Sequence, residues 1–263
     1  GLYGLSCLHL HLIAPPLLAR IAPPHIPVPV ARSIDYPPFP GIRSAGFAFL
    51  RQLKQHNERD WFKPRKDTFE DELLWPMRCL VVDAARRAAH ADVPLTGDPK
   101  KSLFRIYRDT RFSKNKQPYK THVSAVLSRS GTRKDQGVIY IHIEPDRCFL
   151  AAGFHRLDND YLRPLRQRMV AHPALFFEMK QTLNARGLQL ETTDDELKGM
   201  PRGHAQDKES DVAAYLRWKS FLVERPVDEA DVQEPAFTAQ VLTFMQEALP
   251  LLRYGWASET GAE

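Results

Sequence analysis

Between residues 138 and 154 the chain places an apolar side chain at every second position, turns once, and resumes. Ile139, Ile141 and Ile143 fall on one side of the first run; Val138, Tyr140, His142 and Glu144 fall on the other. Successive strand residues point to opposite faces, so this pattern predicts an extended strand. Glu144-Pro145-Asp146-Arg147 reads as a turn, and a two- or four-residue loop there pairs Ile143 with Cys148. Ile139, Ile141, Ile143, Cys148, Leu150, Ala152 and Phe154 then share a core face. The opposite face offers Tyr140, His142, Phe149, Ala151 and Gly153, with small residues beside polar ones. Proline suits the primed two-residue turns poorly, so a three-residue loop with a bulge is the alternative that would shift this register.

Residues 122–127 and 218–223 are the further expected strands, and helical runs lie on either side of this central group. Phe47, Leu50 and Leu53 repeat at helical spacing, and Asp60 is the expected N-cap of a helix starting at Trp61. Leu73, Leu74, Met77, Leu80, Val81 and Ala84 form a stripe that Pro76 should kink or divide. After the strands, Asp158 or Asp160 caps a helix that His172-Pro173 ends. A second helix runs to Gly187, and Val241, Leu242, Met245 and Leu249 mark a C-terminal helix. Strands grouped centrally between helices predict an α+β fold, a central antiparallel sheet flanked by helices. One main domain over residues 41–263 is expected.

Residues 1–40 read differently, holding nine of the 21 prolines. Proline pairs favour an extended, polyproline-like chain, so an arm or linker is expected. The apolar stretch 2–18 loosely resembles a secretory signal core, but Pro15-Pro16 interrupts it before it would span a bilayer. No membrane association is expected. Three scattered cysteines, Cys7, Cys79 and Cys148, form no CxxC pair and suit a reducing cytoplasm.

Charge is concentrated in one place. The chain carries a net +5, yet residues 100–122 hold eight cations against the single Asp109, a local +7 that leaves the remainder at −2. Within this segment Arg105, Arg108 and Arg111 stand three apart, followed by Lys116. Guanidinium forks match phosphate or carboxylate oxygens, and Lys116 adds a point charge. The expectation is a site for an anionic small molecule. Asp109 would orient an arginine or act as a base, and Tyr119 and His142 are proton-transfer candidates. Lys198, Arg202 and Lys219 form a second cationic set among glycines. The competing account pairs the arginines with acidic residues elsewhere, such as Glu191 or Asp194.

Tyr107, Phe112 and Tyr119 interleave with the cations as in single-stranded nucleic-acid grooves, so a nucleic-acid module is an alternative. Against it, Phe112 is expected in the core, with the tyrosines anchoring the loop. A protein–protein module with a docking arm and a structural arginine network is the third possibility. His122, His142 and Glu144 would make a His-x-Glu cluster, but a hydrogen-bonded strand histidine is the simpler expectation. No metal and no cofactor is therefore predicted, and no dinucleotide or P-loop motif occurs.

The run Arg105-x-x-Arg108-Asp109-x-Arg111-Phe112-x-x-x-Lys116-x-x-Tyr119 resembles the central motif of a bacterial and fungal family of uncharacterised proteins. Gly46-Phe47, Asn57 to Phe62, Lys198 to Gly203 and Leu216 to Phe221 also resemble that family, over roughly residues 41–250. The chain departs from it at His56-Asn57, where members show paired asparagines, and at Asp207-Lys208-Glu209, where they show Asp-His-Pro. The resemblance implies a domain of unknown function and no particular reaction, leaving enzyme and binding protein equally open.

Overall fold

Residues 35–259 are described by the computed structural model. The expected arm lies, up to residue 34, outside the described residues, as do Cys7 and residues 260–263. A compact unit spans Tyr36–Glu263. Tyr36 and Phe39 are already buried in it, and the Phe39 N–H donates to the Asp83 carboxylate at 3.2 Å.

Helix α1 (Ser44–Gln55) buries Phe47, Leu50 and Leu53 on one stripe. A helical run follows through α2 (Arg59–Phe62), a 3-10 turn (Lys63–Arg65), α3 (Lys66–Phe69) and α4 (Trp75–His90). The expected cap at Asp60 is not formed. Glu58 occupies the N-cap position without a side-chain bond, and Asp60 sits inside the first turn, where its charge faces the helix's positive end. Pro76 divides the stripe as expected, because the residues before it, Glu70–Leu74, widen into a π-turn and place the proline in the first turn of α4. There its missing N–H costs little.

Strands β1 (Val123–Leu127), β2 (Val138–Ile143) and β3 (Cys148–Phe154) form an antiparallel meander. The hairpin register pairs Ile141 with Leu150 and His142 with Phe149, which aligns Ile143 with Cys148 without a bulge. Asp146 takes a left-handed conformation (φ 64°), and the Arg147 N–H closes the turn on the Glu144 carbonyl at 3.0 Å. Proline supplies the preceding φ and aspartate tolerates the positive one, so a four-residue loop serves without primed geometry.

Helices α5 (Asn159–Ala171), α6 (Pro173–Ala185) and α7 (Ala213–Leu216) intervene before β4 (Phe221–Val227), which pairs antiparallel with β3. Asp158 caps α5 by accepting from the Tyr161 N–H, and Gly187, at φ 71°, lies just past α6. The short α8 (Glu229–Val232) leads into α9 (Phe237–Glu259), which packs against β3, α4, α5 and α6, while α4 packs against β1. The architecture is α+β with a four-stranded antiparallel sheet. Cys79 and Cys148 are buried free thiols. No helix among the described residues is long and apolar enough to cross a membrane.

Candidate functional site

The basic motif runs along the free edge of β1. Leu103 bridges Ala125, the Phe104 N–H donates to the Ser124 carbonyl at 3.0 Å, and the Lys120 N–H donates to the Ile106 carbonyl at 2.8 Å. Tyr107 bridges Tyr119, and the Arg108 N–H donates to the Pro118 carbonyl at 2.8 Å, closing off a loop of residues 109–117. The buried Asn57 amide grips Tyr119 like a neighbouring strand: its Oδ1 accepts from the Tyr119 N–H and its Nδ2 donates to the Tyr119 carbonyl, both at 3.0 Å. Phe62 stacks on the Tyr119 ring, with centroids 4.2 Å apart. These contacts bring α2 and the turn after it against the motif.

The result is a pocket of about 270 Å³ lined by Arg59, Lys63, Lys66, Arg108 and the rings of Phe62, Tyr107 and Tyr119. Thr110 and Pro118 complete the wall, and no carboxylate belongs to it. Tyr107, Arg108 and Tyr119 also line a larger groove of about 640 Å³ with Asp109, Asn115, Lys120 and His122. Burial and the neighbouring Tyr107 hydroxyl raise the Tyr119 pKa, so the phenol keeps its proton at neutral pH.

The other motif cations do not join Arg108. Arg111 closes on Asp109 with two side-chain hydrogen bonds, at 3.0 and 2.7 Å, and the same carboxylate accepts the Arg111 backbone N–H. Those bonds hold Asp109 below the usual carboxylate range and Arg111 above its own. The Lys116 ammonium donates to the Thr110 carbonyl across the loop. Arg105 faces an adjoining depression with Glu70, Arg78 and Lys100, which shares Phe62, Lys66 and Tyr107 with the Arg108 pocket. Among the described residues, Arg111–Asp109 is the motif arginines' ion pair, and neither Glu191 nor Asp194 takes part in one.

Phe112 overturns its expected place in the core, for its ring is 96% exposed. The loop's side chains bond within the loop, so the ring meets only the Arg111 guanidinium, 5.9 Å away. Tyr119 is buried as an anchor, whereas Tyr107 is 56% exposed.

The second cationic set is also divided. Arg202 lines a pocket of about 330 Å³ with Asn159, Arg163 and Arg166 from one face of α5, together with Leu197, Pro201 and His204. Lys198 is exposed, and Lys219 is half-buried beyond this lining. Arg166 is only 6% exposed, its Nε has no hydrogen-bond partner, and burial lowers its pKa.

On the sheet face opposite Ile139, Ile141 and Ile143, His142 (7% exposed) stacks on Phe149 at 4.5 Å and lies 4.2 Å from the His122 ring. Its Nε2 is 3.3 Å from Glu144 Oε2 and its Nδ1 is 3.1 Å from the Tyr140 hydroxyl. Thr121 donates to the other Glu144 oxygen at 2.7 Å. Burial lowers both histidines, His122 to about 4 with His142 adding to the effect, so both rings are uncharged at neutral pH. Burial would raise Glu144, but the bonds from Thr121 and His142 outweigh it and keep the carboxylate ionised. His142 thus reaches the groove only behind His122, apart from Asp109 and Tyr119.

Arg59, Lys63 and Lys66, the residues that complete the Arg108 pocket, escaped the sequence reading. Their four-then-three spacing on a helical run was the available signal, since it sets three cations on one face. Arg163 and Arg166 repeat only the three-residue step of that spacing on α5.

These features define an α+β protein with a carboxylate-free basic pocket at the edge of an antiparallel sheet. The chain belongs to the DUF2461 family of conserved hypothetical proteins, whose profile matches residues 45–254. No curated protein and no solved structure matches it.

Proposed function

We propose that this protein recognises a phosphorylated or carboxylated small molecule in the cytoplasm, at the pocket around Arg108. The observation that supports this reading is the convergence of four cations from two chain segments on one cavity without a carboxylate in its lining. Arg108 and Arg59 offer planar forks for paired oxygens, and Lys63 and Lys66 supply point charges. Phe62, Tyr107 and Tyr119 wall the pocket and exclude water from one side of the ligand. Tyr119, which keeps its proton at neutral pH, would donate a hydrogen bond to a bound oxyanion. Asp109, clasped by Arg111, and His142, behind His122, serve outside this pocket.

The test is thermal denaturation of the full chain with phosphate, sulfate, citrate and nucleotides. A ligand at a hundred times its Kd stabilises by about 2.7 kcal/mol through mass action. A rise in Tm for at least one of these anions is expected in the wild type and in Lys114→Ala, and its loss in Arg108→Ala. No rise with any of them, or an equal rise in Arg108→Ala, rejects the reading.

The exposed Phe112 and Tyr107 among cations favour a second reading, single-stranded nucleic acid tracking the loop. It requires affinity that falls steeply with salt and drops again in Phe112→Ala.

A further inference from the structure

We infer that His122, His142 and Glu144 form a binding site for a first-row divalent transition-metal ion, with zinc the best match to the donor set. The ladder pairs Val123 with Ile143, so His122, just before β1, stands across from Glu144, just after β2. His142 is two residues before Glu144 on the same face. One ligating atom from each of the three residues falls within 4.8 Å of the other two. Tetrahedral zinc with nitrogen and oxygen bonds of about 2.0–2.2 Å needs donors roughly 3.3 Å apart. His142 Nε2 and Glu144 Oε2 already have that spacing at 3.3 Å, and a ring nitrogen of the half-buried His122 lies within 4.8 Å of both.

The surroundings are those of a supported site. Metal-bound imidazoles use their second nitrogen in a hydrogen bond that sets ring orientation, and bound carboxylates are themselves hydrogen-bonded. Here the Tyr140 hydroxyl meets Nδ1 of His142, and Thr121 holds the Glu144 oxygen that does not face His142. Phe149 stacks against the His142 ring and fixes its plane. A His142–Glu144 hydrogen bond alone accounts for two of the residues. It leaves unexplained a second imidazole brought 4.2 Å from the first in a half-buried setting. Two imidazoles and one carboxylate suit zinc and its neighbours and disfavour magnesium or calcium, which take oxygen ligands.

Three protein ligands leave a fourth position open, as in sites where water or an oxyanion completes the shell. His122 lines the groove that also holds Arg108 and Lys120, so an anionic ligand in that groove would lie beside one of the three ligands. The metal site does not depend on the anion reading.

The test uses the metal-free full chain, titrated with Zn²⁺ by calorimetry and with Co²⁺ by absorption. One saturable equivalent is expected, with a cobalt spectrum of nitrogen and oxygen ligation lacking a thiolate charge-transfer band. His122→Ala, whose ring is half-buried, should fold and lose at least tenfold in affinity; Glu144→Gln should weaken binding similarly. His9→Ala/His11→Ala, which removes the His-x-His pair of the proline-rich N-terminal stretch, should retain it. Absence of a stoichiometric site, a thiolate band, or undiminished binding in folded His122→Ala overturns the inference.

Discussion

The loop at residues 109–117 and the hairpin of β2 and β3 treat polar groups in opposite ways. In the loop, charged side chains are exposed and bond to partners two to six residues away: Asp109 with Arg111, Asn115 with Gln117, Lys116 with Thr110. In the hairpin, Tyr140, His142 and Glu144 are held by a ladder whose register is set by the apolar face beneath them. Their partners Thr121 and His122 arrive from the segment that leads into β1. A charge in the loop is therefore interchangeable with solvent, whereas a polar group in the hairpin has a fixed partner or none. Arg108 stands at the boundary, its backbone in the edge pairing and its side chain in the pocket.

The largest effect should come from disturbing the hairpin's backbone. Gly153 has φ 131°, and a Cβ there would sit 2.0 Å from the Phe221 carbonyl oxygen. Gly153→Ala should cost at least about 3 kcal/mol, combining conformational strain with separation of β3 from β4. Urea denaturation measures this, and Ser113→Ala in the loop should stay within about 0.5 kcal/mol. Comparable losses at the two positions would break the contrast.

Why one region was legible in the sequence and the other was not follows from the same physics. Isoleucine at every second place determines which side His142 faces, and the cross-strand register then brings His122 and Glu144 together. The antiparallel sheet and the long helices were readable because periodic burial leaves a periodic trace. The Arg108 pocket depends on Asn57, a single buried amide that pins Tyr119 and thereby places Arg59, Lys63 and Lys66 beside the motif. One asparagine leaves no period. The loop misleads in another way: Phe112 is expected in the core, but a segment whose side chains bond within the loop has no core to offer it.

A smaller effect should appear on acidification. Burial holds His122 at about 4 against its ordinary 6.5, with His142, Lys120 and Arg147 opposing its proton and Glu144 favouring it. As pH falls from 6.5 toward 4, the unfolded chain takes up a proton that the native chain refuses, so stability declines. Above pH 6.5 the effect is absent. The full shift corresponds to about 3 kcal/mol, and partial exposure of the ring reduces this to roughly 2 kcal/mol. His142, also lowered by burial, acts in the same direction. Urea midpoints from pH 7 to 4.5 should therefore fall more steeply in the wild type than in His122→Gln. Parallel slopes would show that the ring is solvated like the loop's charges.

The smallest and sharpest comparison neutralises one carboxylate in each region. Glu144→Gln removes the charged acceptor of the Thr121 and His142 bonds in a half-buried place and should cost on the order of 1 kcal/mol. Asp109→Asn removes an exposed acceptor whose partner is equally exposed, with side chains 59% and 77% accessible, and should leave the denaturation midpoint unchanged. What Asp109→Asn should change is binding. It releases the Arg111 fork and deletes the one negative charge in a segment of eight cations. Affinity for a polyanion at low salt should rise roughly threefold, and the salt slope should steepen by about one if the freed arginine meets a phosphate. A loss of stability in Asp109→Asn would mean that the loop is braced by its ion pair, and the division between a solvated loop and a registered hairpin would no longer hold.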